Sequence, residues 1–212
     1  MVYGPPTRTV GEVMRAVKRT FGDESQAQLE DDDIVAWIND AQDEINNLNK
    51  VLKEQSTVTA VAGEPTYSFP SKRIQQIEAL LYAGVKVSNV TYAQALENYV
   101  GIDRGSSPSP DVWFEWGGKF TFSPTPSTAE AITLIYTVRP QPVNKTSTTV
   151  LSLPDKYYQD IVRYVLQQAY LMDEALDLSS SQAQQMATSL ENKSEEERSA
   201  QQMTYSTITF ID

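Results

Sequence analysis

The hydrophobic pattern of this chain changes its period twice, and a proline lies near each change. In the segment GEPTYSFPSKRIQQIEALLY (63–82), a short aromatic strand ends at Pro70 and a second regular segment begins. In LSLPDKYYQDIVRYVLQQAY (151–170), an extended run ends at Pro154, and apolar residues then recur at helical spacing. Proline lacks a backbone donor and interrupts regular elements. The two stops therefore divide the chain into helical, β-rich and helical parts.

Two helices are predicted before the β-rich part. Thr9 is suited to an N-cap with Glu12 three residues later, and Gly22 is suited to the stop. The first helix carries one apolar stripe: Val10, Val13, Met14, Val17 and Phe21. The second helix carries a longer stripe: Ile34, Trp37, Ile38, Ala41, Ile45, Leu48 and Leu52.

The middle of the chain reads as strands separated by turns. Thr, Val, Ile and Tyr dominate it, Ala83-Gly84 is predicted to turn one strand into the next, and TYAQALENYV (91–100) reads as a short helix. The strongest hairpin signal is Gly117-Gly118 between two aromatic runs. Its cross-strand neighbours are predicted to be either Trp116 with Phe120 or Trp113 with Phe122.

Two more helices and an apolar tail are predicted after Pro154. The first of these helices has the stripe Tyr158, Ile161, Val162, Val165, Leu166, Ala169 and Met172, and the second has Ala183, Met186, Ala187 and Leu190. The last ten residues, MTYSTITFID (203–212), are β-prone and have no evident partner. They read as a frayed terminus or as a strand that adds to another chain. We predict the second, with contacts to a partner through Tyr205, Ile208, Phe210 and Ile211.

The predicted fold is α+β. Residues 1–52 and 153–202 form a helical bundle, residues 53–152 form an inserted antiparallel β-rich lobe, and residues 203–212 form an extended tail.

Composition excludes much chemistry. The 212 residues include no His and no Cys, so Ser-His-Asp and Cys-His catalysis, disulfides and thiolate metal sites are ruled out. The net charge of −11 is opposite to that of most nucleic-acid binders. Asp31, Asp32 and Asp33 could suggest a metal site, but acids in a first helical turn more simply complement the helix dipole. We therefore predict no metal, no cofactor and no catalytic residue.

Two other functional readings compete with a purely structural role. A carbohydrate-binding or receptor-binding module, such as a phage tail protein, could use Trp113, Trp116 and Tyr82 as a stacking platform, although sheet packing also explains these aromatics. An enzyme would have to use carboxylates that all lie on one predicted helix, where a solvated face explains them better: Asp31, Asp33, Asp40, Asp43 and Glu44.

A cluster of basic residues lies near the end of the first helix. Arg15, Lys18 and Arg19 suit the negative end of the helix dipole. They could equally pair with acids of an adjacent subunit, and the sequence leaves both readings open.

The order of these elements resembles the head-to-tail adaptor (head completion) proteins of tailed bacteriophages, over roughly residues 8–200. The segments that carry the resemblance are DDDIVAWINDAQDEINNL (31–48), PTYSFPSKRIQQIEALLYAGVKV (65–87), KFTFSPTPSTAEAITLIYTVRP (119–140) and LSLPDKYYQDIVRYVLQQAYLMDE (151–174).

The resemblance implies a structural part of the virion neck. Many copies, commonly about twelve, would form a closed ring under the portal protein and present a docking face to the next tail protein. The C-terminal segments would grip the portal, and DNA would pass through the ring without specific binding. An acidic channel wall that repels DNA agrees with this expectation. The sequence has no apolar run that could span a bilayer and no signal-peptide core, so we expect synthesis in the host cytoplasm and no membrane contact.

Overall fold

The computed structural model describes residues 5–23, 28–98 and 106–208. These residues form two compact units. One combines the described parts of Met1–Leu52 and Pro140–Asp212, and the other is Lys53–Arg139. Within the described residues the helices are α1 (Val10–Phe21), α2 (Asp31–Asn49), α3 (Tyr92–Asn98), α4 (Tyr158–Met172) and α5 (Leu176–Ile208), with a 3₁₀ turn at Asp155–Tyr157 before α4. The α+β fold expected from the sequence is confirmed.

Local sequence signals place the ends of α1. The Thr9 hydroxyl accepts from the Glu12 amide, and the Glu12 carboxylate accepts from the Thr9 amide, which is a complete capping box. Gly22 ends the helix in the left-handed conformation, with φ of 90°. Both predictions for this helix are confirmed.

The helical unit has one apolar core to which α1, α2, α4 and α5 all contribute. Its buried helical residues are Val10, Val13, Val17, Ile34, Ile38, Ala41, Ile45, Ile161, Val162, Val165, Leu166, Ala169, Met186 and Leu190. The predicted stripes are wrong at three positions, because Leu48 and Met172 are 59% and 50% exposed and Ala187 also faces solvent.

Buried amide side chains take the place of Leu48 on α2. Gln42 accepts from the Ser152 amide at 2.7 Å, and the Asn49 side-chain amide donates to the Leu190 carbonyl at 3.1 Å. Asn46 accepts from the Leu52 amide at 2.9 Å. The Ser152 and Leu52 amides gain acceptors in this way, and the Leu190 carbonyl, which lies inside α5, accepts an additional hydrogen bond. Such hydrogen bonds offset part of the cost of burying an amide.

The second unit contains ten strands among its described residues. They are β1 (Lys53–Thr59), β2 (Thr66–Ser68), β3 (Ile74–Tyr82), β4 (Val85–Lys86), β5 (Ser88–Asn89), β6 (Ser106–Ser107), β7 (Val112–Trp116), β8 (Lys119–Ser123), β9 (Thr125–Pro126) and β10 (Ala131–Val138). One sheet has the order β1-β10-β3-β4, a second has β2-β8-β7-β5, and β6 pairs with β9. The ladders are antiparallel except for the two-residue pairs β5 with β7 and β6 with β9.

The turns between strands follow the sequence signals. Ala83 and Gly84 both have positive φ and connect β3 to β4. Gly117 and Gly118 connect β7 to β8, and Trp113 lies opposite Phe122. Of the two predicted registers, the structure has the Trp113 and Phe122 pairing, which places both rings in the interior of the lobe.

The second boundary of the β-rich unit lies at Pro140 rather than at residue 153. Val143, Leu151 and Leu153 are buried in the helical core, because the returning chain runs against the N-terminal residues. The Val10 amide donates to the Thr149 carbonyl at 2.9 Å. A Cβ at Gly11 would lie 2.7 Å from the Ser147 carbonyl oxygen, so only glycine fits at this approach.

The last described helix replaces part of the predicted tail. Residues 203–208 belong to α5, so the expectation of an extended segment is wrong for them. Residues 209–212, which include Phe210 and Ile211, lie outside the described residues. Extending an existing helix adds one hydrogen bond per residue without a new nucleation cost. That gain exceeds the local β propensity of this segment.

Candidate interaction surfaces

The acids at the start of α2 pair with lysines. Lys18 Nζ lies 2.5 Å from an oxygen of Asp31, and Lys145 Nζ lies 3.1 Å from an oxygen of Asp32. Across the described parts of the chain, no group of three or more acidic side chains is placed to hold a metal ion. The five carboxylates considered for an enzyme are all exposed along this helix. Their arrangement is that of a solvated helix face.

The three basic residues of α1 differ in environment. Lys18 is 8% exposed, and its ammonium pairs with Asp31 of the same chain. A contact between Lys18 and a neighbouring subunit stays a prediction. Arg15 and Arg19 are exposed. Neither guanidinium forms an ion pair with a carboxylate among the described residues. Arg15 Nε donates to the Gly11 carbonyl at 3.2 Å. The role of these two arginines as inter-subunit charge contacts stays a prediction.

The aromatic stacking platform is not formed as the sequence suggested. Trp113 and Tyr82 are 5% and 1% exposed, and the Tyr82 hydroxyl donates to the Thr128 carbonyl at 2.7 Å. Trp116 is 61% exposed and stacks on Tyr92 with ring centroids 3.9 Å apart. The first two rings are core residues, so three aromatic faces cannot receive one sugar chain.

A buried cluster of charges attaches α5 to α4. The Asp160 side chain is fully buried and contacts the Lys193 ammonium, which also donates to the Lys156 carbonyl at 2.8 Å. Arg163 lies 3.3 Å from the second Asp160 oxygen. A buried charge is tolerated only when it is paired and hydrogen-bonded. The cluster therefore sets the position of α5 along α4.

A second part of this cluster lies at the 3₁₀ turn. The Glu197 carboxylate contacts the Lys156 ammonium at 2.5 Å and accepts from the Tyr157 hydroxyl at 2.9 Å. Burial, followed by the negative charge of Glu197, raises the pKa of Tyr157 far above its ordinary value. Tyr157 therefore stays protonated and donates to Glu197 at physiological pH.

The N-terminal segment is attached at the same turn. Asp155 lies at the start of this turn, and its carboxylate accepts from the Thr7 hydroxyl and from the amides of Thr7 and Arg8. These hydrogen bonds, led by the one from the Thr7 hydroxyl, lower the pKa of Asp155 below its ordinary value. The residue joins the two chain segments instead of capping its own helix.

Helix α5 is much longer than the helix it packs on. Its 33 residues span about 50 Å, whereas the 15 residues of α4 span about 22 Å. The two helices are joined by a short turn and run antiparallel, so the end of α4 lies beside the start of α5. The charge cluster holds α5 as far as Glu197, level with the 3₁₀ turn. Eleven further residues, to Ile208, carry α5 about 16 Å past that point.

The turn between α4 and α5 exposes an apolar surface, which we call the apolar elbow. It consists of Leu171, Met172, Leu176 and Leu178, with exposures of 44%, 50%, 63% and 52%. Glu174 makes the tight turn with φ of 59°. Scattered exposed apolar residues are ordinary, but four large ones within eight positions of chain mark an interaction surface.

Strand β1 leaves an open sheet edge. The Ala60 amide donates to the Glu130 carbonyl at 2.7 Å, and the Ala83 amide donates to the Ala131 carbonyl at 2.9 Å. Antiparallel pairing alternates, so every second residue of β1 directs its backbone groups away from β10. These residues are Lys53, Gln55, Thr57 and Thr59. No strand among the described residues pairs with this edge, which can accept a strand from another chain.

The described surfaces suit a structural protein that binds other proteins. A family model described as SU10 adaptor protein matches residues 8–208. The chain therefore belongs to the SU10 adaptor protein family, which is a family of phage head-to-tail adaptors. The resemblance seen in the sequence is confirmed, and the role is that of a structural component of the virion neck. No curated protein matches the sequence significantly.

Sequence reasoning missed the apolar elbow and the open edge. LMDEALDL (171–178) contained the signal for the elbow, because apolar residues alternate there with acids across a helix break. The edge position of β1 depends on the strand order, which local sequence does not encode.

Within the described residues, no helix is both long enough and apolar enough to cross a lipid bilayer.

Proposed function

We propose that copies of this chain, about twelve by analogy with related rings, assemble under the portal protein and join it to the first tail protein. The ring continues the channel through which DNA leaves the head, without specific DNA binding. Membership in a family of phage head-to-tail adaptors supports the general role. The net charge of −11 supports the channel, since like charges disfavour adhesion of DNA to its wall.

The observation that carries the proposal is the length of α5. The helix continues for eleven residues, about 16 Å, beyond Glu197, and most helical stability in proteins comes from packing against another surface. We propose that this end binds the portal or a neighbouring copy. The contact residues are those named from the sequence: Tyr205, Ile208, Phe210 and Ile211.

A truncation tests this assignment. A chain that ends at Ser199 keeps the Glu197 contacts, so it should fold with an unchanged circular dichroism spectrum per helical residue. Mixed with the portal from the same genome, it should form no complex in native mass spectrometry, whereas the full chain should form a multi-copy complex. Substitution of the exposed Gln185 by Ala on the same helix is the matched control and should leave attachment unchanged.

Normal attachment of the truncated chain would contradict the role of the α5 end. Failure of the full chain to associate with the portal at any ratio, while folded, would contradict the adaptor ring itself.

A further inference from the structure

The apolar elbow is surrounded by negative charge. Asp173, Glu174 and Asp177 are all exposed and lie between or beside its apolar residues. No lysine or arginine occurs between Arg163 and Lys193. A partner surface that covers the elbow must therefore combine apolar contact with positive charge, because an unpaired carboxylate buried at an interface is costly.

A surface with these properties lies on α1 of the same unit. One face of α1, at Gly11, Met14, Arg15 and Lys18, forms a groove with Ser147 and Thr148. Thr9 and the Asp31 carboxylate that pairs with Lys18 also line it. The groove has a volume of about 520 Å³. Met14 and the aliphatic stem of Arg15 offer apolar contact, and Gly11 lets the Ser147 backbone close the N-terminal end of the groove.

The positive charge of this α1 groove is available. Arg15 and Arg19 are one helical turn apart, both are exposed, and neither forms an ion pair with a described carboxylate. Lys18 at the floor is already neutralised by Asp31. Arg15 at the groove donates its Nε–H to the Gly11 carbonyl at 3.2 Å and keeps its charge unpaired by any described carboxylate, and Arg19 lies one turn further along α1. These two positive charges complement the three carboxylates beside the apolar elbow.

A chain cannot place its own elbow in its own groove. Phe21 packs on Tyr170 with ring centroids 5.4 Å apart, so the elbow lies beyond the C-terminal end of α1. Met14 lies seven residues earlier, about 10 Å back along the helix axis. The turn between α4 and α5 is held by its two helices and does not fold back over that distance.

We propose that the apolar elbow of one copy binds the α1 groove of the next copy. Two different surfaces meet in this contact, so each copy has one of each free for a further neighbour, and such contacts generate rings. Leu176 enters the groove against Met14, and Glu174 and Asp177 meet Arg15 and Arg19. The inference rests on the proposed function and names the surfaces by which the ring closes.

The absence of cysteine makes a direct test possible. Glu174→Cys and Arg15→Cys, combined in one chain and assembled on the portal, are treated with a short bismaleimide. Denaturing gels should then show a ladder of cross-linked oligomers larger than dimers, because each copy contributes both cysteines. Either single substitution alone should give no ladder.

The outcomes separate this contact from the proposed function. A multi-copy complex on the portal with no ladder would overturn the contact and leave the adaptor ring standing. Cross-links from the thiol at position 174 to the portal or to the tail protein would also overturn it. Absence of any multi-copy complex would overturn the ring, and the contact with it.

Charge reversal provides a second measurement. One variant reverses the elbow (Glu174→Arg with Asp177→Arg), and a second reverses α1 (Arg15→Glu with Arg19→Glu). Each should weaken assembly about tenfold or more, because like charges then face each other. An equimolar mixture of the two variants should restore assembly as rings in which they alternate, because every elbow then meets a groove of opposite charge. All four substitutions in one chain should also restore ring assembly. Glu191→Arg, an exposed acid elsewhere on α5, is the matched control and should have no effect. Failure of the four-fold variant, together with full assembly of either reversal, would refute the pairing.

Discussion

The charge pair that holds α5 can be tested by removing one partner. Lys193→Met deletes the ammonium that contacts Asp160, whose side chain is fully buried, and the methionine keeps most of the volume. Breaking a buried ion pair from one side costs about 3–5 kcal/mol, since the remaining charge stays buried. Arg163 still contacts the other Asp160 oxygen at 3.3 Å, and Lys193 is 18% exposed. We therefore expect Lys193→Met to lower the free energy of unfolding by an amount at the lower end of that range, about 3 kcal/mol.

The double variant makes the expectation specific. Asp160→Leu together with Lys193→Met replaces the pair by apolar groups, and such replacements are commonly neutral within about 1 kcal/mol. The double variant should therefore be more stable than Lys193→Met alone. The losses of unfolding free energy in the two single variants should not be additive, because both residues belong to one contact.

Urea unfolding followed by circular dichroism at 222 nm measures the helical unit. In a Trp37→Phe background, fluorescence of Trp113 and Trp116 reports on the β-rich unit alone, which should keep its own transition. Hydrogen exchange of α5 amides gives a local readout and should accelerate about a hundredfold in Lys193→Met. Two results would refute a stabilising role of the Asp160–Lys193 pair. One is a loss of unfolding free energy below about 0.5 kcal/mol in Lys193→Met, and the other is a double variant whose loss equals the sum of the single losses.

Two further predictions concern the β hairpin and the N-terminal segment. Trp113→Ala should destabilise the β-rich unit by about 3–5 kcal/mol because it empties a buried site, whereas Trp116→Ala should cost at most about 1.5 kcal/mol, the loss of its stacking on Tyr92. Equal losses in urea unfolding would contradict that assignment. Asp155→Ala should release the N-terminal segment. Folding lowers the pKa of Asp155. The contribution of its carboxylate to the free energy of unfolding is therefore fully present above the unfolded-state pKa of about 3.9, and it is lost as pH falls through the lower folded-state pKa. The stability difference between wild type and variant should therefore be constant at neutral pH and vanish in acid, and a difference that persists at the lowest pH would contradict it.

The sequence predicted the elements whose determinants are local. The capping box of α1, the stop at Gly22 and the turn at Ala83-Gly84 each depend on residues within a few positions of each other. The sequence left two possible strand registers for the β7–β8 hairpin, because the alternating aromatic residues fit either one. The structure closes the hairpin with Gly117 and Gly118 alone, so Trp116 lies opposite Lys119 and Trp113 opposite Phe122.

Two of the predictions were wrong for different physical reasons. Leu48 fits a helical stripe, yet it is exposed, and buried amides of α2 contact Ser152 and Leu190, which are distant in the chain. Residues 203–208 are β-prone, yet they continue a helix already formed before them. The pairing of Lys18 with Asp31 of the next helix is a long-range contact that local spacing does not encode.

The amino-acid sequence by itself determined the α+β class, the helix and turn signals and the membership in a family of phage adaptors. It also excluded cysteine and histidine chemistry, since composition alone decides that. Only the tertiary structure decided which charged groups are already paired, which aromatic rings are buried, and that the elbow and the β1 edge lie uncovered among the described residues. The physical reason is that spacing encodes a residue's position on its own helix or strand, whereas pairing and exposure depend on groups that arrive from elsewhere in the chain.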